Sequence, residues 1–534
     1  MPRTNTHSHA RRAKNVGELI LSMVAVASFG LTAHAECVLS NEIAEVAFGY
    51  PTKWALIHDR VRQAVVEKCG LSHRSFVKGE ISDMALDGVS LYVARCDDSA
   101  LAETDCAAIS RFKLRGGKIM TEQESGWRGR SVSRMIEFFE ENVPELAVKC
   151  EPGREFVRQV DADNREARKE FRSIMFAGGP DELRGISCHD AYGPRGEPYQ
   201  SDPKWQNWDL NCARLKHWGF NLLTVNVCHA GCGYYSSLVV PKSKLVDRKG
   251  DALNMLLSAC RKHGLRFVAW RVCLRRINGE SSDAFDRWIE QGRGQCNIDG
   301  RLSVSLLCPN DPRNRKYEVD ACVELARKGV DAVALDYIRY KDNKFCFCDR
   351  CHKAFSKRVG ESRLAGWPKC VHADKELRLE WEKFRRDTIT SLVREVHDAV
   401  KAAVPTCNFW ASVATPNWKD YVAQEWDVWC REGLVDVIGP MNYESTKGAS
   451  DISEIGEIFK LEAQMAGSIL LKPTLYPVCI VWDPGNAGDL GRRSRYLIDS
   501  IREYRRLGAR AFSIFEFTNP FIDMIGMGEE LEEK

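Results

Sequence analysis

Asp336 closes the apolar run Val330-Asp-Ala-Val-Ala-Leu-Asp-Tyr-Ile-Arg-Tyr340. The run reads as a strand buried on both faces, as parallel strands are, and a carboxylate at its C-terminal end needs a chemical reason. Val333 and Leu335 would face covering helices, whereas the small Ala332 and Ala334 would face a crowded barrel axis that Asp336 then shares. The plainer use of such a group is an ion pair with Arg271 or Arg339. That use is compatible with chemistry, because a neighbouring guanidinium keeps the carboxylate ionised. Glycoside cleavage needs two carboxyl groups across the scissile bond, one protonated and one ionised. Glu444 is the preferred partner of Asp336, and Glu516 is the reserve for either role. His189, Asn226, Arg271, Arg339, Tyr340, Trp410, Tyr443 and Tyr476 are expected at the same rim as substrate-binding groups, the aromatic ones stacking on sugar faces.

A second cluster follows at Phe345-Cys-Phe-Cys-Asp-Arg-Cys-His352. Its Cys-x-Cys-x-x-Cys spacing puts the thiolates of Cys346, Cys348 and Cys351 on one turn, and tetrahedral zinc needs one more ligand. Disulfides are the alternative in an exported chain. The loop is similar to the structural zinc loop of the β-galactosidase family 42, which implies a fourth Cys from an earlier loop. Cys308 fits that place, with Cys370 and His352 as competitors. A closed site of this kind would pin the loop beside the rim without taking part in the reaction.

The elements that must position these groups repeat eight times. Strand patterns run over 184–190, 221–229, 266–273, 331–340, 407–414, 435–444, 469–478 and 510–517. Amphipathic helices intervene, and Gly219, Gly264, Gly329, Gly433 and Gly508 stand immediately before strands. Alternating β and α units mean a parallel sheet, and eight units suit a closed (β/α)8 barrel over residues 183–534. Parity places Ser187, His189, Thr224, Asn226, Arg271, Asp336, Ser412, Asn442, Glu444, Lys472, Thr474 and Tyr476 on the inner face. Residues 36–150 alternate strand and helix as well, with Gly116-Gly117 closing a helix ahead of Lys118-Ile-Met120. Ser90–Asp98 through Met120 resembles the amidotransferase-like accessory domains of many glycosidases. No Gly-x-Cys-x-Gly turn accompanies it, so a flavodoxin-like structural α/β module is expected. Residues 151–182 read as a charged helical linker.

The barrel stretches resemble the glycosyl-hydrolase-like family 10. The matching pieces are Arg184-Gly185, Gly219-Phe-Asn-Leu-Leu-Thr224, Tyr235-Ser236 before Pro241, and His263-Gly-Leu-Arg-Phe-Val-Ala-Trp270. Cys308-Pro-Asn-Asp-Pro312, Leu335-Asp-Tyr-Ile-Arg-Tyr340 and Val435-Asp-Val-Ile-Gly-Pro-Met-Asn-Tyr443 complete them in order. The resemblance implies a TIM barrel, hydrolysis of glycosidic bonds and a catalytic place for Asp336. It departs at strand six, where Pro-Gln-x-Tyr-Trp is expected and Pro440-Met-Asn-Tyr-Glu444 stands. Glu444 there would supply the second carboxylate or bind sugar hydroxyls. The rival reading is a carbohydrate-binding barrel without catalysis.

Composition bounds the rest. The 534 residues allow two or three domains, and a net charge of +3 implies no nucleic-acid partner. Arg3, Arg11, Arg12 and Lys14 precede an apolar run from Leu19 to Leu31 and an Ala33-His34-Ala35 cleavage site. Residues 1–35 therefore read as a signal peptide, with export to the periplasm or outside the cell and no membrane insertion once it is cut. The 21 cysteines are an odd number, and several fall inside buried strands as small apolar residues. No organic cofactor motif is present, and self-association through the accessory module stays open.

Overall fold

The computed structural model describes residues 46–50, 60–94, 101–121, 129–142, 150–195, 200–277, 283–442, 452–475, 489–518, 521, 522, 525 and 527. The signal-peptide expectation, Tyr443, Glu444 and Tyr476 lie outside these residues.

Near the N-terminus, four parallel strands form one sheet. Val46–Tyr50 lies between His73–Val77 and Leu91–Ala94, and Lys118–Thr121 adds to the edge of the last. Central strands carry apolar residues on both faces, with Val46, Phe48 and Val93 packing on one side and Ala47, Tyr92 and Ala94 on the other. This is the doubly wound α/β module expected from the sequence.

All eight barrel strands are present and parallel: Leu183–Cys188, Leu222–His229, Arg266–Val272, Ala332–Asp336, Asn408–Val413, Val437–Pro440, a divided seventh strand, and Ala511–Phe515. The seventh strand is where the ring closes. Leu470–Leu471 pairs with strand six, and Thr474–Leu475 pairs with strand eight. Pro473 between them has no N–H to give a ladder. The backbone continues across the break all the same, since Lys472 N–H donates to the Ile438 carbonyl at 2.8 Å and Ser513 N–H donates to the Pro473 carbonyl at 2.9 Å. Strand eight then pairs with strand one.

Glycine punctuation works as its position demands. Gly264 takes a left-handed conformation, φ 64° and ψ 40°, and its N–H closes the end of helix Ala252–His263. A residue with a Cβ would be strained in that conformation.

Side-chain parity splits the strands into two surfaces. Leu183, Leu222, Val268, Ala332, Ala334, Trp410, Val437 and Ala511 fill the barrel axis. Ile186, Leu223, Val225, Phe267, Ala269, Val333, Leu335, Phe409, Ile438 and Ile514 face the helices. Cys188, Cys228, Cys273 and Cys407 join the second set as buried apolar residues. Among the described residues no disulfide forms.

Two sequence expectations are corrected here. Arg271 lies between Ala269 and Cys273 on the helix-facing surface, so strand three presents Trp270 to the axis instead. What makes this tolerable is Glu318 on helix Pro312–Arg327: its carboxylate sits 2.7 Å from Arg271 Nε, and both side chains are 0% exposed. Asn442 likewise turns away from the axis, which Val437, Gly439 and Met441 line. Its amide donates to Glu462 at 3.2 Å and to the Tyr504 hydroxyl at 3.3 Å.

Candidate active site

Asp336 is buried at the C-terminal end of strand four, on the axial surface. Two fixed donors hold its carboxylate. The Tyr337 N–H donates to Oδ1 at 2.7 Å and the Trp270 indole N–H donates to Oδ2 at 3.2 Å. Tyr337 reaches this position with φ 56°, an uncommon conformation for an aromatic residue. Backbone strain of this kind gathers at functional sites. Burial pushes the Asp336 carboxyl upward, while Arg339, the two donors and Arg275 pull it down. The Tyr337 ring is flanked by both cations, with Arg275 at 4.2 Å and Arg339 at 4.4 Å from its centroid.

Glu516, one residue past strand eight, is a further buried carboxyl at the C-terminal ends of the strands, beside Asp190. Burial raises it to about 7, against the opposing pull of Arg195 and of the His189 backbone N–H. One of its oxygens, Oε2, is buried without a hydrogen-bond partner. His189 is half-buried, with Nδ1 3.0 Å from the Arg195 guanidinium and its ring edge-on to Trp270 at 5.0 Å. Burial and Arg195 lower its pKa to about 4, so the ring is neutral near pH 7.

A bulge in strand two brings in a residue the sequence reading missed. Asn226 pairs with Trp270, but Cys228 pairs with Arg271 and His229 with Val272, so one residue is extra at Val227. The bulge flips the alternation and puts His229 on the axial face in line with Asn226. His229 is fully buried; its Nδ1 accepts from the Gly231 N–H at 3.2 Å, leaving Nε2 as the proton-bearing nitrogen without a partner. Both polar atoms of the Asn226 side chain, the Thr224 hydroxyl and the Trp410 indole N–H are also buried and unpartnered. Buried polar atoms are rarely left this way, and five residues of one barrel mouth doing so together is the pattern of a site that receives a polar ligand.

Of the binding residues expected from sequence, the structure gathers His189, Asn226, Arg339 and Trp410 around Asp336 or along the axis. Arg271 is excluded, as above. Tyr340 is excluded too: it is buried among the cysteines, its hydroxyl accepts from the Asn310 amide at 3.2 Å, and Arg385 stacks on its ring at 4.7 Å. Alternation on strand four ends at Asp336, because the turn at Tyr337 redirects every later side chain.

The sulfurs of Cys308, Cys346, Cys348 and Cys351 all lie within 4.8 Å of one another. Cys308 Sγ stands 3.6 Å from both Cys348 Sγ and Cys351 Sγ. Zinc–sulfur bonds of about 2.3 Å place tetrahedral sulfurs roughly 3.8 Å apart, so the four thiols are close enough together to hold one metal ion. Donors from outside complete the cluster: the Cys296 N–H reaches Cys346 Sγ at 3.2 Å and the Asn310 amide reaches Cys351 Sγ at 3.3 Å. Cys370 and His352 are not part of the group.

No curated protein matches this chain. Among solved structures it is similar to the PgaB (BpsB) glycoside hydrolase domain from Bordetella bronchiseptica, at 15% identity and TM-score 0.46, over 66% of this chain and 97% of that one. A beta-galactosidase from Bacillus circulans sp. alkalophilus follows at 13% identity and TM-score 0.43, over 66% and 56% of the two chains. Gan42B, a GH42 beta-galactosidase from G. stearothermophilus, gives 13% identity and TM-score 0.43, over 66% and 57%. The chain thus spans little more than half of these beta-galactosidases. Residues 203–465, from the loop after strand one to the helix after strand six, match the family described as Glycosyl hydrolase-like 10.

Proposed function

We propose that the barrel hydrolyses a glycosidic bond of an oligo- or polysaccharide, with Asp336 and Glu516 as the carboxyl pair. The observation that carries this reading is the different treatment of the two groups at one mouth. Burial raises Asp336 on balance, but two fixed donors and two guanidiniums oppose that rise and favour its ionised form. Glu516 has a buried, unpartnered oxygen and a pKa raised to about 7, which keeps a proton available near neutrality. Burial raises both carboxyls, and the donors and cations that oppose the rise at Asp336 distinguish their roles. Asp336 is the base or nucleophile, and Glu516 protonates the departing oxygen. His189, His229, Asn226 and Arg339 bind hydroxyls, and Trp270 and Trp410 bound the ring. The four cysteines hold a structural zinc, which supplies no step of the reaction and fixes the loop that follows strand four. Export through residues 1–35 would bring the enzyme to its polysaccharide.

Sugar release from a glycan panel by the full mature chain tests the reading. Asp336→Asn should lower release by about 10²–10⁴-fold with the fold retained. Glu516→Gln should do the same. If Glu516→Gln is active and Glu444→Gln is not, the acid is the strand-six residue expected from sequence. Glycan binding without release by the unaltered chain would replace hydrolysis by carbohydrate binding alone.

A further inference from the structure

Beneath Asp336 the barrel axis holds a small cavity of about 30 Å³, room for roughly two waters and not for a sugar ring. Its wall mixes apolar side chains, among them Ala334, Val437, Met441 and Phe515, with several donors and the Asp336 carboxylate. Lys472, at the break in strand seven, is buried there and lies 5.7 Å from the Trp410 ring. Thr224 and Trp410 contribute a hydroxyl and an indole N–H that are both buried and unpartnered. Ser412 and Thr474 line the same space. Gly439 lines it beside the Lys472 side chain.

A buried ammonium is costly unless an anion accompanies it. Among the described residues Lys472 makes no ion pair. Asp336 lines the cavity without pairing with it, its carboxylate being held by Trp270 and Tyr337. The mouth above adds Arg195, Arg275 and Arg339, none of which is in an ion pair among the described residues; Arg275 and Arg339 stack on Tyr337.

We infer that this cavity receives an anionic substituent of the substrate, a carboxylate or sulfate carried by a sugar whose ring stays above it beside Asp336. The inference rests on the glycosidase reading for the rest of the substrate and adds its class, acidic glycans. The size of the cavity selects a small group; its unpaired cation and unpartnered donors select an anion over a hydroxymethyl group, while the one carboxylate of the lining, Asp336, is already held by Trp270 and Tyr337.

The test compares calorimetric binding and hydrolysis of a carboxylated oligosaccharide, a hyaluronan hexasaccharide, with its neutral counterpart, an N-acetylglucosamine hexamer. A sulfated oligosaccharide, a chondroitin sulfate hexasaccharide, separates the two anions. The full mature chain should favour at least one acidic glycan over the neutral one by tenfold or more. Lys472→Met should collapse that ratio toward one, and Trp410→Phe, which keeps one aromatic ring but removes the N–H together with the pyrrole half of the indole, should lower it in part. Equal handling of acidic and neutral glycans, or a ratio untouched by both substitutions, overturns the anion pocket and leaves hydrolysis standing. Preferential binding of acidic glycans without cleavage does the reverse.

Discussion

Glu516 is the residue whose role is most exposed to a pH experiment. A general acid must carry its proton in the free enzyme, so kcat/KM should be high below pH 7 and fall as the pH rises through about 7. Replacement by Gln should remove that limb together with most of the activity. Stability runs in the same direction: a carboxyl raised on folding stabilises the native state below its ordinary range and loses that contribution as the pH climbs toward 7. Asp336 was legible from sequence because a carboxylate that ends an apolar, small-residue run has few structural uses. His229 was not legible, since Leu222–His229 reads as a regular alternation and nothing in its letters marks the extra residue at Val227. The bulge is a property of pairing with strand three, and pairing is not written in one strand.

At the scale of elements, strand three shows why a face assignment fails where an element count succeeds. Eight apolar runs punctuated by glycine declare eight strands whichever way their side chains point. Parity puts Arg271 on the inner face, yet it lies against the helices, where Glu318 answers its charge. The signal lay in helix Pro312–Arg327, where Glu318 falls on the buried stripe of Asn314, Tyr317, Ala321, Cys322 and Leu325. Arg271→Met should therefore destabilise the barrel by about 3–5 kcal/mol, because Glu318 is left as a buried, unpaired charge. Adding Glu318→Leu should recover most of that loss in a denaturant titration. If the double variant is no better than the single one, the pair acts through packing and not through charge. The cysteine loop makes a parallel case, with three thiols of the cluster legible from spacing and the fourth, Cys308, brought in from an earlier loop. Metal analysis should find one zinc per chain. Removing it by chelation, or substituting Cys308→Ser, should lower Tm, since structural zinc contributes directly to folding energy. Retained zinc and an unchanged Tm in Cys308→Ser would exclude Cys308 as a ligand.

In the whole molecule, helix Glu151–Phe176 belongs to two cores at once. Its first half gives Val157 to the core of the N-terminal sheet. Its last turns give Phe171, Ile174 and Met175 to the barrel core, against the helix Asp489–Arg506 that precedes strand eight. Charges secure the second contact: Glu170 meets both Arg495 and Arg502, and Arg505 binds the Ile174 carbonyl and, with two bonds of 2.7 Å, the Glu182 carboxylate. The charged face that made residues 151–182 read as a linker is what the barrel uses to hold the helix. A helix is stiff along its length, so unfolding of the module is expected to reach the barrel through Glu151–Phe176. Calorimetry should accordingly show one cooperative transition for the intact chain, consistent with the single compact unit Ala44–Lys534. Arg165→Pro breaks the helix between its two cores at a cost of about 3 kcal/mol or more. It should split the transition in two, the module melting first, while the barrel keeps its activity at low temperature. Two separate transitions in the unaltered chain would show that the helix serves the barrel alone and that the module rides on it uncoupled.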